Sequence, residues 1–269
     1  MTLADVLNGA VDYLTARGVD SPRVDAELIL ARALGLQRIE LYTQHDRPLT
    51  DAERAEARGL VRRRGTREPL AYVLGDWDFR RLTLKTDTRA LVPRPETEIV
   101  VERCLKLLQG TAEPRIVDVG TGTGAIGLAL KHERPDAHVT ATDCSADALS
   151  LAKENADANG LDVELVVTDL LDGLAGPFDL VVSNPPYVRA DEMEALAPEL
   201  AHEPVEALLD RGQTERLIET ARFGWLVLEI HEARAVEIAG RLGAAGYEDV
   251  TVSKDLAGRD RIVEGRWIP

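Results

Sequence analysis

The sequence predicts an α/β protein in which a small helical bundle precedes a doubly wound, mostly parallel sheet of seven strands. Short apolar strands alternate with helical segments from residue 115 to about 242, and this alternation is typical of a parallel sheet. In residues 1–74, apolar residues recur at helical spacing instead. The stretches around Val250 and Ile262 predict an antiparallel pair of strands that closes the sheet.

Three helices are predicted in the N-terminal part. Ser21 supplies a capping hydroxyl before Pro22, which suits the first position of the second helix. Thr50 caps the third helix, with Glu53 three residues later as in a capping box. We interpret the Arg62-Arg63-Arg64 run as a solvated helix end, favourable to the helix dipole.

A hairpin is predicted over residues 75–90, where Phe79, Leu82 and Leu84 are interleaved with polar residues. It links the bundle of residues 1–74 to a second domain of residues 91–269. The predicted strands of that domain are 115–119, 138–142, 163–167, 180–183 and 225–230, and its helices are 96–108, from 125, from 145, 214–221 and 233–242.

Composition excludes several classes of protein. Asp5 stands where a signal peptide would be basic, and no apolar run approaches the roughly 20 residues that span a bilayer. Cys104 and Cys144 do not form a ligand-like pair, and the five histidines have no metal spacing. We therefore expect a cytoplasmic protein without a metal, and we take it to be a monomer.

The net charge of −15 is carried by the second domain, where residues 91–269 contain 17 basic and 33 acidic side chains. Lysine and arginine contacts to phosphates dominate affinity for nucleic acids. The charge therefore weighs against a DNA or RNA substrate.

A glycine-rich loop, Gly120-Thr121-Gly122-Thr123-Gly124, follows an apolar strand that ends in Asp118-Val119 and opens a helix. Such a loop lets a ligand contact backbone N–H groups, and Asp143 at the next strand end suits ribose hydroxyls. This pattern leaves open a dinucleotide and S-adenosylmethionine. Asp118, suited to a cationic cofactor, favours the second, as does the strand end Thr168-Asp169-Leu170. Asp169 would meet the adenine amine and Leu170 the ring.

The segment Asn184-Pro185-Pro186-Tyr187 lies at the carboxyl end of a buried strand, on the edge where open α/β sheets bind ligands. The Asn184 side-chain oxygen and the Pro185 carbonyl can accept both N–H hydrogens of a planar amide or amine. The two prolines restrict the backbone, so the carbonyls are fixed before the substrate arrives. Tyr187 offers a flat face on which a planar group can stack. We interpret Asn184, Pro185 and Tyr187 as catalytic residues and the whole tetrapeptide as substrate-binding.

The chain resembles the release-factor glutamine methyltransferases, the PrmC/HemK family of class I S-adenosylmethionine-dependent methyltransferases. Beyond the two motifs, the resemblance rests on three segments, which are Glu68-Pro69-Leu70-Ala71-Tyr72, Leu91-Val92-Pro93-Arg94-Pro95-Glu96-Thr97 and Lys254-Asp255-Leu256-Ala257-Gly258-Arg259-Asp260-Arg261. It implies a Rossmann-like fold and methylation of the glutamine side-chain nitrogen in the Gly-Gly-Gln motif of class 1 peptide chain release factors.

The resemblance also assigns roles to residues. It implies that the helical domain of residues 1–74 helps to bind the release factor, and that residues 184–187 contact the substrate. The implied contacts to S-adenosylmethionine are Gly120, Thr121, Gly122, Thr123, Gly124, Asp143, Asp169, Leu170 and Asn184. One stretch, around residues 205–225, is shorter than in the family pattern, and His231 after it is interpreted as a surface residue.

Other functions stay open at this point. They are a ribosomal-protein glutamine methyltransferase, a nucleic-acid adenine-N6 methyltransferase, a nucleotide-dependent oxidoreductase and a non-catalytic binding module. The acidic second domain counts against the nucleic-acid enzyme, and the tetrapeptide counts against the oxidoreductase.

Overall fold

The computed structural model describes residues 1–268 and divides into two compact units. The first unit contains Met1–Asp76 together with Ala197–His202, and the second contains the rest of the described chain. The chain therefore leaves the second unit for six residues and returns to it at Glu203, an exchange that the sequence did not predict.

The first unit is a helical bundle. Its buried apolar residues, among them Leu3, Leu14, Ile29 and Leu30, form one core. The helices are α1 (Leu3–Ala16), α2 (Pro22–Leu34), α3 (Glu40–Thr43), α4 (Asp51–Gly65) and α5 (Leu70–Leu74).

The predicted capping box at Thr50 and Glu53 is confirmed, with both reciprocal hydrogen bonds present. The predicted cap at Ser21 is wrong in part. Pro22 does begin α2, but the Ser21 hydroxyl makes no capping hydrogen bond. The Ser21 backbone, at φ −123° and ψ 59°, lies outside the extended region in which a capping side chain reaches the first turn.

The interpretation of the three-arginine run as a solvated helix end is wrong for Arg64. Arg62 is exposed, but Arg64 is only 6% exposed. It follows Ala57 and Val61 on the buried face of α4, because residues three and four apart share one side of a helix. Its guanidinium bonds Asp25 of α2 at 2.6 Å and Glu199 at 3.0 Å.

The second unit contains the sheet and the helices that cover it. Its elements are β1 (Asp76–Phe79, beginning in the first unit), β2 (Leu82–Lys85), α6 (Thr97–Leu107), β3 (Arg115–Val119), α7 (Ala125–Glu133), β4 (His138–Asp143), α8 (Ala146–Ala158), β5 (Glu164–Val167), β6 (Leu180–Ser183), α9 (Val205–Leu208), α10 (Gln213–Thr220), β7 (Trp225–Glu229), α11 (Ala235–Ala245), β8 (Glu248–Lys254) and β9 (Asp260–Arg266), with short 3₁₀ helices at Met193–Ala195, Pro198–His202 (in the first unit) and Glu232–Arg234.

The predicted sheet is confirmed. Seven strands follow the order β5-β4-β3-β6-β7-β9-β8, with β9 antiparallel to both β7 and β8 and the other pairs parallel. Alternate residues of one strand face opposite layers. Leu180 and Val182 belong to the core that includes α6 and α7, whereas Val181 belongs to the core that includes α10 and α11.

Strand order reverses beside β3, because the chain runs outward from β3 to β5 and then returns to place β6 on the other side of β3. In parallel α/β sheets, ligands bind at the carboxyl ends of the strands near such a reversal. The glycine loop follows β3, Asp143 ends β4 and Asn184 follows β6. The topology therefore brings the three predicted motifs to one edge of the sheet.

Candidate active site

The glycine loop between β3 and α7 is tied to the neighbouring strand. The Thr121 N–H donates to the Thr142 carbonyl at 2.9 Å, and the Gly122 N–H donates to Asp143 Oδ2 at 3.0 Å. Gly124 has φ +87°, and a Cβ there would lie 2.8 Å from Leu128 Cδ1. A side chain at this position would be strained and crowded, so the turn into α7 requires glycine.

Asp118 holds the loop from inside the protein. It is 1% exposed, and its Oδ2 accepts from the Thr121 hydroxyl at 2.5 Å and the Gly127 N–H at 2.8 Å. Its Oδ1 has no hydrogen-bond partner among residues 1–268. Burial raises the pKa of this carboxyl to about 6. One oxygen thus organises the loop, while the other is buried without a hydrogen-bond partner in the described part of the chain.

Asp143 ends β4 with a half-buried carboxylate. Its Oδ1 accepts from the Ser145 N–H at 2.9 Å, and its Oδ2 accepts from the Gly122 N–H. Each carboxylate oxygen can accept a second hydrogen bond. The side chain can therefore anchor the loop and still receive two hydroxyl groups.

Asp169 and Leu170 lie at the end of β5. The exposed Asp169 carboxylate binds Arg216 of α10 through two contacts of 2.8 and 3.2 Å, a partner that the sequence did not reveal. Leu170 is half-buried with φ +55°, and its carbonyl accepts from the Thr142 hydroxyl at 3.1 Å. The backbone at Leu170 is thereby fixed beside the end of β4.

The tetrapeptide continues directly from β6. The Ser183 hydroxyl donates to the Val119 carbonyl at 2.7 Å, which ties the end of β6 to the end of β3. Pro185 is buried, whereas Asn184, Pro186 and Tyr187 are half-buried. Side chains that are partly exposed at a strand end can contact both the protein and a ligand.

Two residues behind Asn184 were not predicted. Its Nδ2 lies 3.4 Å from the Thr97 hydroxyl, and that hydroxyl donates to Glu229 Oε2 at 2.7 Å. Thr97 is part of the 91–97 segment that carried the family resemblance, and Glu229 ends β7 at the same sheet edge. The positions of Thr97 and Glu229 in the sequence could have identified both residues as candidates. The contact between them could not be predicted from the sequence.

Asn155 of α8 is a third residue that the sequence did not predict. It is 1% exposed, and its Nδ2 donates to the carbonyls of Thr123 at 2.8 Å and Lys85 at 3.1 Å. Its Oδ1 accepts from the Lys85 N–H at 2.7 Å. One amide therefore joins β2 to the glycine loop.

His231 is exposed, as expected, and accepts from the Ala233 N–H.

Known proteins resemble the chain along its whole length. The family model described as "PrmC N-terminal domain" matches residues 5–75, and the one described as "Methyltransferase small domain" matches residues 97–221. The release factor glutamine methyltransferase of Deinococcus radiodurans is 42% identical over 99% of this chain and 99% of its own. The chain belongs to the release factor glutamine methyltransferase family. A second member of this family, from Geobacter sulfurreducens, is 38% identical over 98% of this chain and 96% of its own.

Solved structures agree with the methyltransferase fold of the family. The hMettl16 catalytic domain in complex with MAT2A 3′UTR hairpin 6 matches with a TM-score of 0.56. That match is 18% identical and covers 69% of this chain and 75% of the other, so it shows a shared fold and nothing about substrate. Within residues 1–268, no helix is long and apolar enough to cross a membrane. The same residues contain no cluster of three side chains suited to a metal ion.

Proposed function

We propose that this chain transfers the methyl group of S-adenosylmethionine to the side-chain nitrogen of the glutamine in the Gly-Gly-Gln motif of a class 1 peptide chain release factor. The observation that carries this proposal is the arrangement at one sheet edge. The glycine loop, the Asp143 carboxylate and the Asn184 tetrapeptide follow neighbouring strands, in a chain that belongs to this family.

S-adenosylmethionine would occupy the carboxyl ends of β3, β4 and β5. The loop of Gly120, Thr121, Gly122, Thr123 and Gly124 would contact its methionyl part, near the unpartnered Asp118 oxygen. Asp143 would accept from the ribose hydroxyls, because both of its oxygens keep an acceptor site. Leu170 would contact the adenine ring, with Asp169 at the adenine amine, and Asn184 would lie beside the methyl group.

The tetrapeptide would prepare the substrate amide for attack. Asn184 Oδ1 and the Pro185 carbonyl would accept the two N–H hydrogens, and Tyr187 would stack on the amide plane. As the nitrogen–carbon bond forms and the sulfur–carbon bond breaks, positive charge grows on the nitrogen and both acceptors stabilise it. The methylated amide then loses a proton to water, and S-adenosylhomocysteine is the other product. None of these steps calls for a metal ion.

The first unit would supply contacts to the release factor. Two of its exposed side chains, Ile39 at 64% and Tyr42 at 50%, are large and apolar and lie at α3. Exposed apolar groups that are close together are typical of protein contact sites. This role for residues 1–74 is part of the proposal.

The direct test is incubation of the protein with labelled S-adenosylmethionine and a class 1 release factor, followed by mass spectrometry of the peptides. We expect one methyl group on the Gly-Gly-Gln glutamine. A release factor with alanine at that glutamine is the matched control and should stay unlabelled. Label on a ribosomal protein or on nucleic acid would overturn the substrate assignment, and label on nothing would favour a non-catalytic module.

Cofactor affinity gives a second test. Asp143→Ala removes charge-assisted hydrogen bonds to the ribose, and we expect it to weaken S-adenosylmethionine binding by about 10- to 100-fold. The measurement is isothermal titration calorimetry. Asp147→Ala, an exposed change in the first turn of α8, serves as the control for charge. Equal affinities for the two variants would contradict the proposed ribose contact.

A further inference from the structure

A buried chain of hydrogen bonds ends on the Asn184 side chain. Glu229 is 1% exposed and Thr97 is 4% exposed. The Thr97 hydroxyl lies between Glu229 and Asn184, at 2.7 Å from Glu229 Oε2 and 3.4 Å from Asn184 Nδ2. The mechanism proposed above gives neither residue a task, although a buried carboxylate is costly to keep.

The chemistry of the three groups fixes the direction of this chain. An ionised carboxylate only accepts hydrogen bonds, so the single Thr97 proton points to Glu229. Toward its other neighbours, the Thr97 oxygen can then act only as a hydrogen-bond acceptor, so the group facing it must be a donor. The Asn184 amide must therefore turn its NH₂ group toward Thr97, because its carbonyl oxygen would place two acceptors together.

We infer that Thr97 and Glu229 are positioning residues, which hold the Asn184 amide so that its Oδ1 faces the glutamine N–H of the substrate. The inference rests on the proposed function, since it explains how an acceptor is presented to that amide. A flipped Asn184 would present its NH₂ group to the substrate NH₂ group, and neither could accept a hydrogen bond.

We call the chain of hydrogen bonds from Glu229 through Thr97 to Asn184 the relay. Its fixed direction depends on the charge of Glu229. Burial raises the pKa of this carboxyl to about 7, partly opposed by the Thr97 hydrogen bond. A protonated Glu229 can donate to Thr97, which frees the Thr97 proton and removes the fixed direction. The other ionisable groups that act on Glu229 or are acted on by it are Arg94 and Glu96 before α6, Arg261 on β9 and the Tyr187 phenol.

The first experiment compares Thr97→Val with Thr97→Ser in steady-state methylation. Valine keeps the shape and loses the hydroxyl, so we expect kcat to fall about tenfold with KM for S-adenosylmethionine unchanged. Serine keeps the hydroxyl and should restore kcat to within about threefold of the natural protein. Equal kcat for the two variants would overturn the inference. A role limited to packing would instead change the unfolding midpoint of Thr97→Val together with KM.

The second experiment follows pH. In the natural protein, kcat should rise as pH increases through about 7, where Glu229 ionises. Glu229→Gln cannot titrate and should lose this rise. Glu264→Gln is the matched control, because Glu264 is also buried in the sheet, at 2% exposure, but pairs with Arg103. A rise through the same pH that persists in Glu229→Gln would overturn the inference.

A readout without turnover separates this inference from the proposed function. The side-chain NH₂ signals of Asn184, observed by nuclear magnetic resonance, should shift with pH around 7 in the natural protein and not in Glu229→Gln. If that shift is present but no release factor is methylated, the proposed function fails and the relay stands. If methylation occurs but the shift is absent, the relay fails.

Discussion

Replacing Asn184 with alanine is expected to lower kcat by about 100-fold or more, the usual loss for one preorganised contact to developing charge. The change removes the side-chain oxygen that would orient the substrate amide, while the glycine loop and Asp143 remain. Binding of S-adenosylmethionine should therefore stay largely intact. Single-turnover methylation of a release factor, with calorimetry of the cofactor, measures the two quantities separately.

Asn159→Ala is the control for loss of an asparagine side chain. Asn159 follows α8, where its Nδ2 donates to the Thr83 and Asn155 carbonyls. It should methylate at close to the natural rate. Unchanged turnover in Asn184→Ala would refute the proposed mechanism, and an equal loss in both variants would point to damage of the fold.

Replacing Arg64 with methionine is expected to destabilise the first unit by about 3–5 kcal/mol, because it leaves the buried Asp25 carboxylate without its cation and Glu199 with Arg67 alone. The side chains of Arg64 and Asp25 are 7% and 9% exposed, and that of Glu199 is 19% exposed. Burial raises the pKa of Glu199, but hydrogen bonds from Arg67, from the Glu199 backbone and from Arg64 outweigh it and lower the pKa to about 2. Far-ultraviolet circular dichroism in urea measures the loss through the helical signal.

Arg62→Met is the matched control, since it makes the same change on the exposed side of the same helix. Its free energy of unfolding should change by less than about 0.5 kcal/mol. Tryptophan fluorescence supplies a second signal, because Trp77, Trp225 and Trp267 all belong to the second unit. Equal urea midpoints for the two methionine variants would show that the buried ion pairs do not stabilise the bundle.

The elements that could be predicted have local causes. A capping box needs only residues three apart, so Thr50 and Glu53 were sufficient to place the start of α4. The glycine loop was predictable because its backbone conformation requires glycine at Gly124 whatever surrounds it. The tetrapeptide was predictable for the same reason, since two prolines restrict the backbone by their own covalent geometry.

The errors and omissions share a different cause. Arg64 belongs to a charged run that is typical of a helix surface, and only the packing of α4 on α2 places it opposite Asp25. Its second partner, Glu199, lies 135 residues away. Asp169 and Arg216 are likewise 47 residues apart. No local pattern encodes such pairs, because the two charged side chains are far apart in the sequence and meet only after folding.

The sequence by itself determined the order of strands and helices, the glycine loop and the tetrapeptide, and with them the family. These depend on apolar periodicity and on the backbone limits of glycine and proline, which act over a few residues. Only the tertiary structure joined Glu229 to Thr97, 132 residues away, and brought that hydroxyl to Asn184. The direction of a hydrogen-bond chain depends on which donors and acceptors lie next to each other, and only folding brings these groups together.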